Sequence, residues 1–154
     1  MAANVAPRYT LVGDYSNNST ITTSATFPGT LLTATADFTG VSANHIKVFT
    51  SDSSNGSRIV GIHFEAIGVN IQSVVHVFIN NGATQATATN NLLVGQLTLP
   101  ATAASTTSAV GSADFYFPGP SGYADLPPGF TIWAGLGTTV ATGWIASPIL
   151  GGKF

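Results

Sequence analysis

Residues 57–67 read Ser-Arg-Ile-Val-Gly-Ile-His-Phe-Glu-Ala-Ile, and residues 73–80 read Ser-Val-Val-His-Val-Phe-Ile-Asn. In the first run Val60, Ile62, Phe64 and Ala66 alternate with Ile59, His63 and Glu65. In the second, Val75, Val77 and Ile79 alternate with Val74, His76 and Phe78. A period of two sends successive side chains to opposite faces of a strand, whereas a helix repeats its apolar positions every three or four residues. Both faces of each run carry bulky apolar groups, which suits strands in the middle of a sheet.

Outward from these two runs the same signal recurs at 9–13, 20–27, 31–38, 45–50, 91–99, 113–117, 130–136 and 138–146. Pro100, Pro118, Pro127 and Pro128 fall between the runs, as expected of residues that cannot donate to a ladder. Asn55-Gly56 and Asn81-Gly82 follow strand-like runs and predict type I′ turns. Gly135 and Gly137 predict a reversal between a Trp133 strand and a Trp144 strand. About ten short strands with turn signals every 8–12 residues predict an all-β fold. The expectation is a single β-sandwich, jelly-roll-like, over residues 1–154, with an N-terminal arm at 1–8 and a C-terminal tail at 147–154. Two Ala/Thr/Ser-rich stretches, 83–90 and 101–110, read as loops, flat strands or a short helix. A closed barrel is the second choice.

Charged residues make up 6% of the 154, against about a quarter in an ordinary domain. The polar surface comes instead from 21 Thr, 14 Ser and 10 Asn. A neutral hydroxyl and amide coat repels neighbours weakly, so it suits a chain packed among other subunits. Arg8, Lys47, Arg58 and Lys153 are scattered and the net charge is −2, so no basic face for nucleic acid is expected. No apolar run approaches the ~20 residues of a spanning helix, so no membrane partner is expected either. There is no cysteine, hence neither a disulfide nor a thiolate metal site. Met1–Arg8 has neither a basic leader nor an apolar stretch, so folding in the cytoplasm is expected. On that ground the N-x-S/T triplets at Asn17, Asn18 and Asn55 read as accidental.

Catalytic signatures are thin. Glu65 is the only Glu, and Asp14, Asp37, Asp52, Asp114 and Asp125 read as turn-capping residues near strand ends. Neither a paired-carboxylate site nor a G-x-S-x-G elbow is legible, so no enzyme and no cofactor are expected. His45, His63 and His76 lack metal-ligand spacing. His63 and His76 are expected on neighbouring strands, where their protonation would loosen the sheet at low pH. Trp133 and Trp144, with Phe130 and Phe154, offer either core or a sugar-stacking platform, and half-buried strand aromatics favour core. The two ends are the expected assembly interface: Pro7, Arg8 and Tyr9 at one, Lys153 and Phe154 at the other.

The segment Ala-Asp-Leu-Pro-Pro-Gly-Phe-Thr-Ile-Trp at 124–133, the closing Gly-Gly-Lys-Phe at 151–154 and Leu-Thr-Leu-Pro-Ala-Thr at 97–102 resemble small virion proteins of tailed bacteriophages. The likeness runs from Arg58 onward, and Lys153 departs from the acidic residue usual at that position. The resemblance implies a capsid decoration, or cement, protein, located on the virion exterior and assembled in the host cytoplasm. Its implied partners are the major capsid protein and itself, as a homotrimer clamping neighbouring capsomers. The alternatives from other classes are a carbohydrate- or receptor-binding β module of a phage tail, fibre or bacterial surface, a polysaccharide-degrading jelly roll, and a self-assembling shell subunit.

Overall fold

The computed structural model describes residues 30–31, 33, 37–119 and 121–153. Nine strands are present among them: β1 (Thr30–Leu31), β2 (Ile46–Thr50), β3 (Ser57–Ala66), β4 (Ser73–Asn80), β5 (Asn91–Leu99), β6 (Ser112–Tyr116), β7 (Ala124–Leu126), β8 (Thr131–Leu136) and β9 (Trp144–Lys153). They form two antiparallel sheets, ordered β1-β9-β3-β6 with β7 also on β3, and β2-β8-β4-β5. The protein is an all-β sandwich. Its pairing is nested: β4 with β5, β3 with β6 and β7, β2 with β8, β1 with β9. The β3–β9 and β4–β8 ladders join those pairs into sheets.

Apolar side chains from the two facing surfaces fill the space between the sheets. Ile59, Ile62, Phe64, Trp144 and Ala146 of the first sheet meet Val75, Val77, Ile132, Ala134 and Leu136 of the second, all fully or almost fully buried. β3 and β4 are interior strands, as their two-sided apolarity predicts. The simple alternation fails at one place, because Ile59 points into the core and Val60 is half-exposed. The cause is a bulge. Ile59 and Gly61 oppose the adjacent residues Leu150 and Ile149, so Val60 is an extra residue and the phase of the strand flips.

Several local expectations change. Among the described residues no non-glycine residue has positive φ, so Asn55-Gly56 and Asn81-Gly82 are not type I′ turns, although Gly56 and Gly82 themselves have φ of 77° and 87°. The chain crosses between sheets after β2 and after β8, so neither Asn55-Gly56 nor Gly135–Gly137 closes a hairpin. The run at 138–146 starts as a strand only at Trp144, and 147–153, expected as a tail, is the second half of β9. The run at 31–38 contributes only Leu31 to a strand among the described residues. β7 had no counterpart among the predicted strands. The stretch 83–90 is turns closed by one 3-10 turn at Ala88–Asn90, and 101–110 is a loop holding a single bridge, Asn70 to Thr102. The runs at 9–13 and 20–27 and the arm at 1–8 lie outside the described residues.

Outside the sandwich, the segment from Asp37 to His45 lies over the outer face of the second sheet. Phe38 packs on His76 at 4.7 Å between ring centroids, and His45 stacks on Phe78 at 5.0 Å and 28°. Asn91 and Gln85 tie this cover down: the Asn91 side-chain amide donates to Thr39 O (3.2 Å) and Gln85 O (2.7 Å), and the Gln85 amide donates to Gly40 O and to Ser42 O (3.2 Å).

Candidate functional site

Among the described residues, three places concentrate polar or exposed apolar chemistry. The first is the outer face of the first sheet. β6 runs beside β3 in a register that sets Asp114 opposite His63 and Tyr116 opposite Gly61. Alternation in β6 buries Phe115 in the core and turns Asp114 and Tyr116 outward. His63 Nδ1 lies 2.6 Å from Asp114 Oδ1, and its Nε2 lies 3.3 Å from Glu65 Oε2. The Tyr116 hydroxyl donates to the other Asp114 oxygen at 3.3 Å. A neutral imidazole donates from only one nitrogen, so two carboxylate partners favour the ring with both protons. The hydrogen bond to Asp114 accordingly raises His63 above 6.5, outweighing its partial burial, with the charge of Asp114 and then Glu65 adding to it.

Farther along β3, Arg58 Nε donates to Asp125 Oδ1 at 2.8 Å and its Nη2 donates to Oδ2 at 3.1 Å, a two-pronged pair between β3 and β7. The same guanidinium sits 3.7 Å from the centroid of the Tyr123 ring. With both nitrogens of His63 engaged by carboxylates, this face holds a proton and orients two carboxylates; it offers no imidazole nitrogen for activating a nucleophile. Among the described residues no group of three or more His, Cys, Asp or Glu is arranged to hold a metal ion.

The second place is the histidine pair under the cover. His45 and His76 are 5% and 3% exposed, and both ring nitrogens of His45 and Nδ1 of His76 lack a hydrogen-bond partner among the described residues. His63 and His76 are therefore not neighbours: they lie in different sheets. Asp37 faces the pair, 3.9 Å from His45 Nε2. Burial would raise Asp37, but Thr39 Oγ1 (2.6 Å), Thr39 N (2.7 Å) and Ser42 N (2.8 Å) donate to its carboxylate and His45 adds a favourable field, so it is held at about 2.

Burial pushes His76 below 6.5, against a hydrogen bond to the Asp37 main chain; repulsion from His45 adds to the shift and the Asp37 charge opposes it. The folded chain thus refuses a proton that the unfolded chain accepts below 6.5. Stability should fall as the pH drops from that value, by at most about 1.4 kcal/mol per pH unit. His63 acts on the other side, since its raised value gives stability below 6.5 that is lost as the pH rises through the folded value. Urea midpoints measured from pH 5 to pH 8 should peak near the middle of that range. His76→Phe should flatten the acid limb and His63→Gln the alkaline one; a level native profile would refute both.

The third place is one end of the sandwich, where three loops meet on a buried Asn70. Its Oδ1 accepts from Thr142 N (3.1 Å), Thr142 Oγ1 (3.1 Å) and Gly143 N (2.8 Å), and its Nδ2 donates to Gly143 O (3.0 Å) and Gly68 O (3.4 Å). Its main chain exchanges two hydrogen bonds with Thr102. This pins 67–72, 101–110 and 137–143 together, and none of the three contains a charged residue. Around the pinned asparagine, Ile67, Val69 and Ile71 stand about half exposed.

Of the residues expected at an assembly interface, Pro7, Arg8, Tyr9 and Phe154 lie outside the described residues. Lys153 ends β9, opposite Ser57 of β3. Trp144 is fully buried in the core, whereas Trp133 is half-buried on the outer face of the second sheet, its indole N–H donating to Thr131 Oγ1 at 2.8 Å. Asp37 and Asp52 cap turns as expected, Asp52 accepting from the main chain of Ser54 and Asn55. Asp114 and Asp125 do not, because they sit within β6 and β7. Tyr116 is an exposed aromatic beside polar groups that sequence reasoning passed over. The signal was present in the alternation Ala-Asp-Phe-Tyr-Phe at 113–117, which sets Asp and Tyr on one face. Set against known proteins, the chain matches no family model, no curated protein and no solved structure.

Proposed function

We propose that the chain is a non-enzymatic structural protein of a bacteriophage virion, a homotrimer that docks on the outside of the capsid and cements neighbouring capsomers. The observation that carries this reading is the Asn70 end. It presents three exposed aliphatic side chains in loops that carry no charge and are tied together by a buried amide. An apolar patch already held in shape loses little freedom on binding, so its contact area is converted efficiently into affinity. The rest of the coat is hydroxyl and amide, which tolerates crowding against a protein lattice.

The winding adds support. With β6 and β7 counted as one interrupted strand, the four nested pairs divided between two sheets support reading the sandwich as a jelly roll. That architecture recurs in viral capsid and lectin domains, although architecture alone assigns no role. A trimer would offer three copies of the apolar end, and three modest contacts on different shell subunits multiply into tight binding.

The test is to mix the purified chain with undecorated heads of the phage that encodes it and to count bound copies by electron microscopy. Saturable binding at fixed lattice positions is expected, with a mass by light scattering three times that of the chain. Ile71→Asp should weaken binding at least tenfold while leaving the unfolding transition in place. Heads that stay bare at saturating protein would refute the reading.

A further inference from the structure

Four of the ten charged side chains in this sequence, Arg58, Glu65, Asp114 and Asp125, share the outer face of the first sheet with His63 and with two of the four tyrosines, Tyr116 and Tyr123. A chain so sparing of ionisable groups has set four charged side chains and a histidine on one surface. From Arg58 to Glu65 that surface extends about 20 Å along β3.

We propose that this face, built from Tyr116, Asp114, His63, Glu65 and the Arg58–Tyr123 stack, is a binding site for a neutral oligosaccharide. The argument begins with the tyrosine. Tyr116 is 57% exposed and lies opposite Gly61, where an added Cβ would stand 3.2 Å from its ring. The ring therefore rests over a glycine, and its hydroxyl is tethered to Asp114. An aromatic ring held this way gives the apolar face of a sugar ring a flat partner without having to be ordered on binding.

The polar groups favour hydroxyls over ions. Arg58 is matched by Asp125, and His63 lies between Asp114 and Glu65, so each carboxylate is engaged within a face that stays net negative. Carboxylates fixed by such partners still carry further lone pairs, which accept from hydroxyl groups. A phosphate-bearing ligand would meet three carboxylates and one guanidinium, which disfavours it. A basic peptide would find carboxylates already engaged by cations. The length of the face suits several sugar rings in line better than one.

The site is independent of the apolar Asn70 end, and its test separates the two. The full chain is screened against an array of bacterial and animal glycans, and soluble maltotetraose and N-acetylglucosamine tetramer are titrated with saturation-transfer NMR as the readout. Binding of at least one neutral oligosaccharide is expected. Tyr116→Ala should weaken it about tenfold or more at an unchanged melting temperature, and Asp114→Asn, which also removes the His63 partner, should weaken it by a similar factor while the chain remains folded. Leu92→Ala, an exposed apolar truncation on the second sheet, and Ile71→Asp should leave it unaltered. The proposal is overturned if no neutral glycan binds, if acidic glycans or polylysine bind in preference, or if Tyr116→Ala binds like the native chain. Loss of head binding in Ile71→Asp with sugar binding intact would bear on the apolar end alone.

Discussion

Asn70→Ala is expected to destabilise the protein by roughly 3 kcal/mol, several times an ordinary surface substitution. The truncation removes one side chain but strands several main-chain groups. Gly143 N–H loses its acceptor at 2.8 Å, inside a glycine that is itself buried, while Gly143 O loses the amide at 3.0 Å and keeps Ile67 N–H at 3.1 Å. Thr142 N–H loses its acceptor as well. A buried main-chain group left without a partner costs about 1–3 kcal/mol, and alanine supplies nothing in place of either. Urea unfolding followed by Trp fluorescence measures the loss, and a change below 1 kcal/mol would mean that water takes over the amide's partners.

Asn70→Asp sharpens the test, because it keeps the shape and the three acceptor contacts while removing the two donors. A carboxylate oxygen would then face Gly143 O at the 3.0 Å now spanned by an N–H. That repulsion raises the carboxyl in the folded state, so the folded variant holds a proton the unfolded chain gives up. The gap between Asn70→Asp and the native protein should narrow as the pH falls from 7 towards 4. Asn70→Ala should show no such narrowing.

Asn70 also marks where the sequence stopped being readable. Its neighbourhood, Ile-Gly-Val-Asn-Ile-Gln at 67–72, gives an alternation that looks like a continued strand. What ends β3 and turns Ile67, Val69 and Ile71 to solvent is a set of hydrogen bonds to residues more than 30 and 70 positions away, which local pattern does not encode. By contrast β4 and β5 were legible in extent to the residue, because each lies between clear turn residues, although a bulge at Val94 interrupts the alternation of β5. β3 was legible in extent but not in phase. The bulge at Val60 depends on pairing with β9, and inserting one residue in a ladder leaves no mark in the strand's own sequence. The polar face of the first sheet was half visible: the outward pairing of Asp114 with Tyr116 follows from period two, but their meeting with His63 needs the β3–β6 register. Trp144 was recognisable as core from its bulk and setting. The packing of His45 on Phe78 was not, since it joins a loop to the outer face of a sheet.

That packing makes the second large prediction. Gly135 lies in β8 on the outer side of the second sheet, and a Cβ added there would fall 2.0 Å from His45 Cδ2 and 2.3 Å from its Nε2. Contacts under 3 Å force something to move. The sheet itself is held by ladders to β2 and β4 on either side of β8, so the imidazole must yield. It has little room, since Phe78 stacks on it and the ring is almost fully buried. Gly135→Ala should therefore expel His45 and lift the cover from Asp37 to His45, exposing Phe78, at a cost of about 2–3 kcal/mol. Removing the imidazole first should abolish most of that penalty. In a His45→Ala background, Gly135→Ala should cost less than 1 kcal/mol, because the methyl enters the space the ring has left. The coupling in such a double-mutant cycle, read from urea midpoints, measures the clash directly. Additive costs would mean that the cover is not seated on Gly135. The expelled state should also lose the acid sensitivity that His76 confers, since a His76 open to water accepts its proton in the folded and unfolded chain alike.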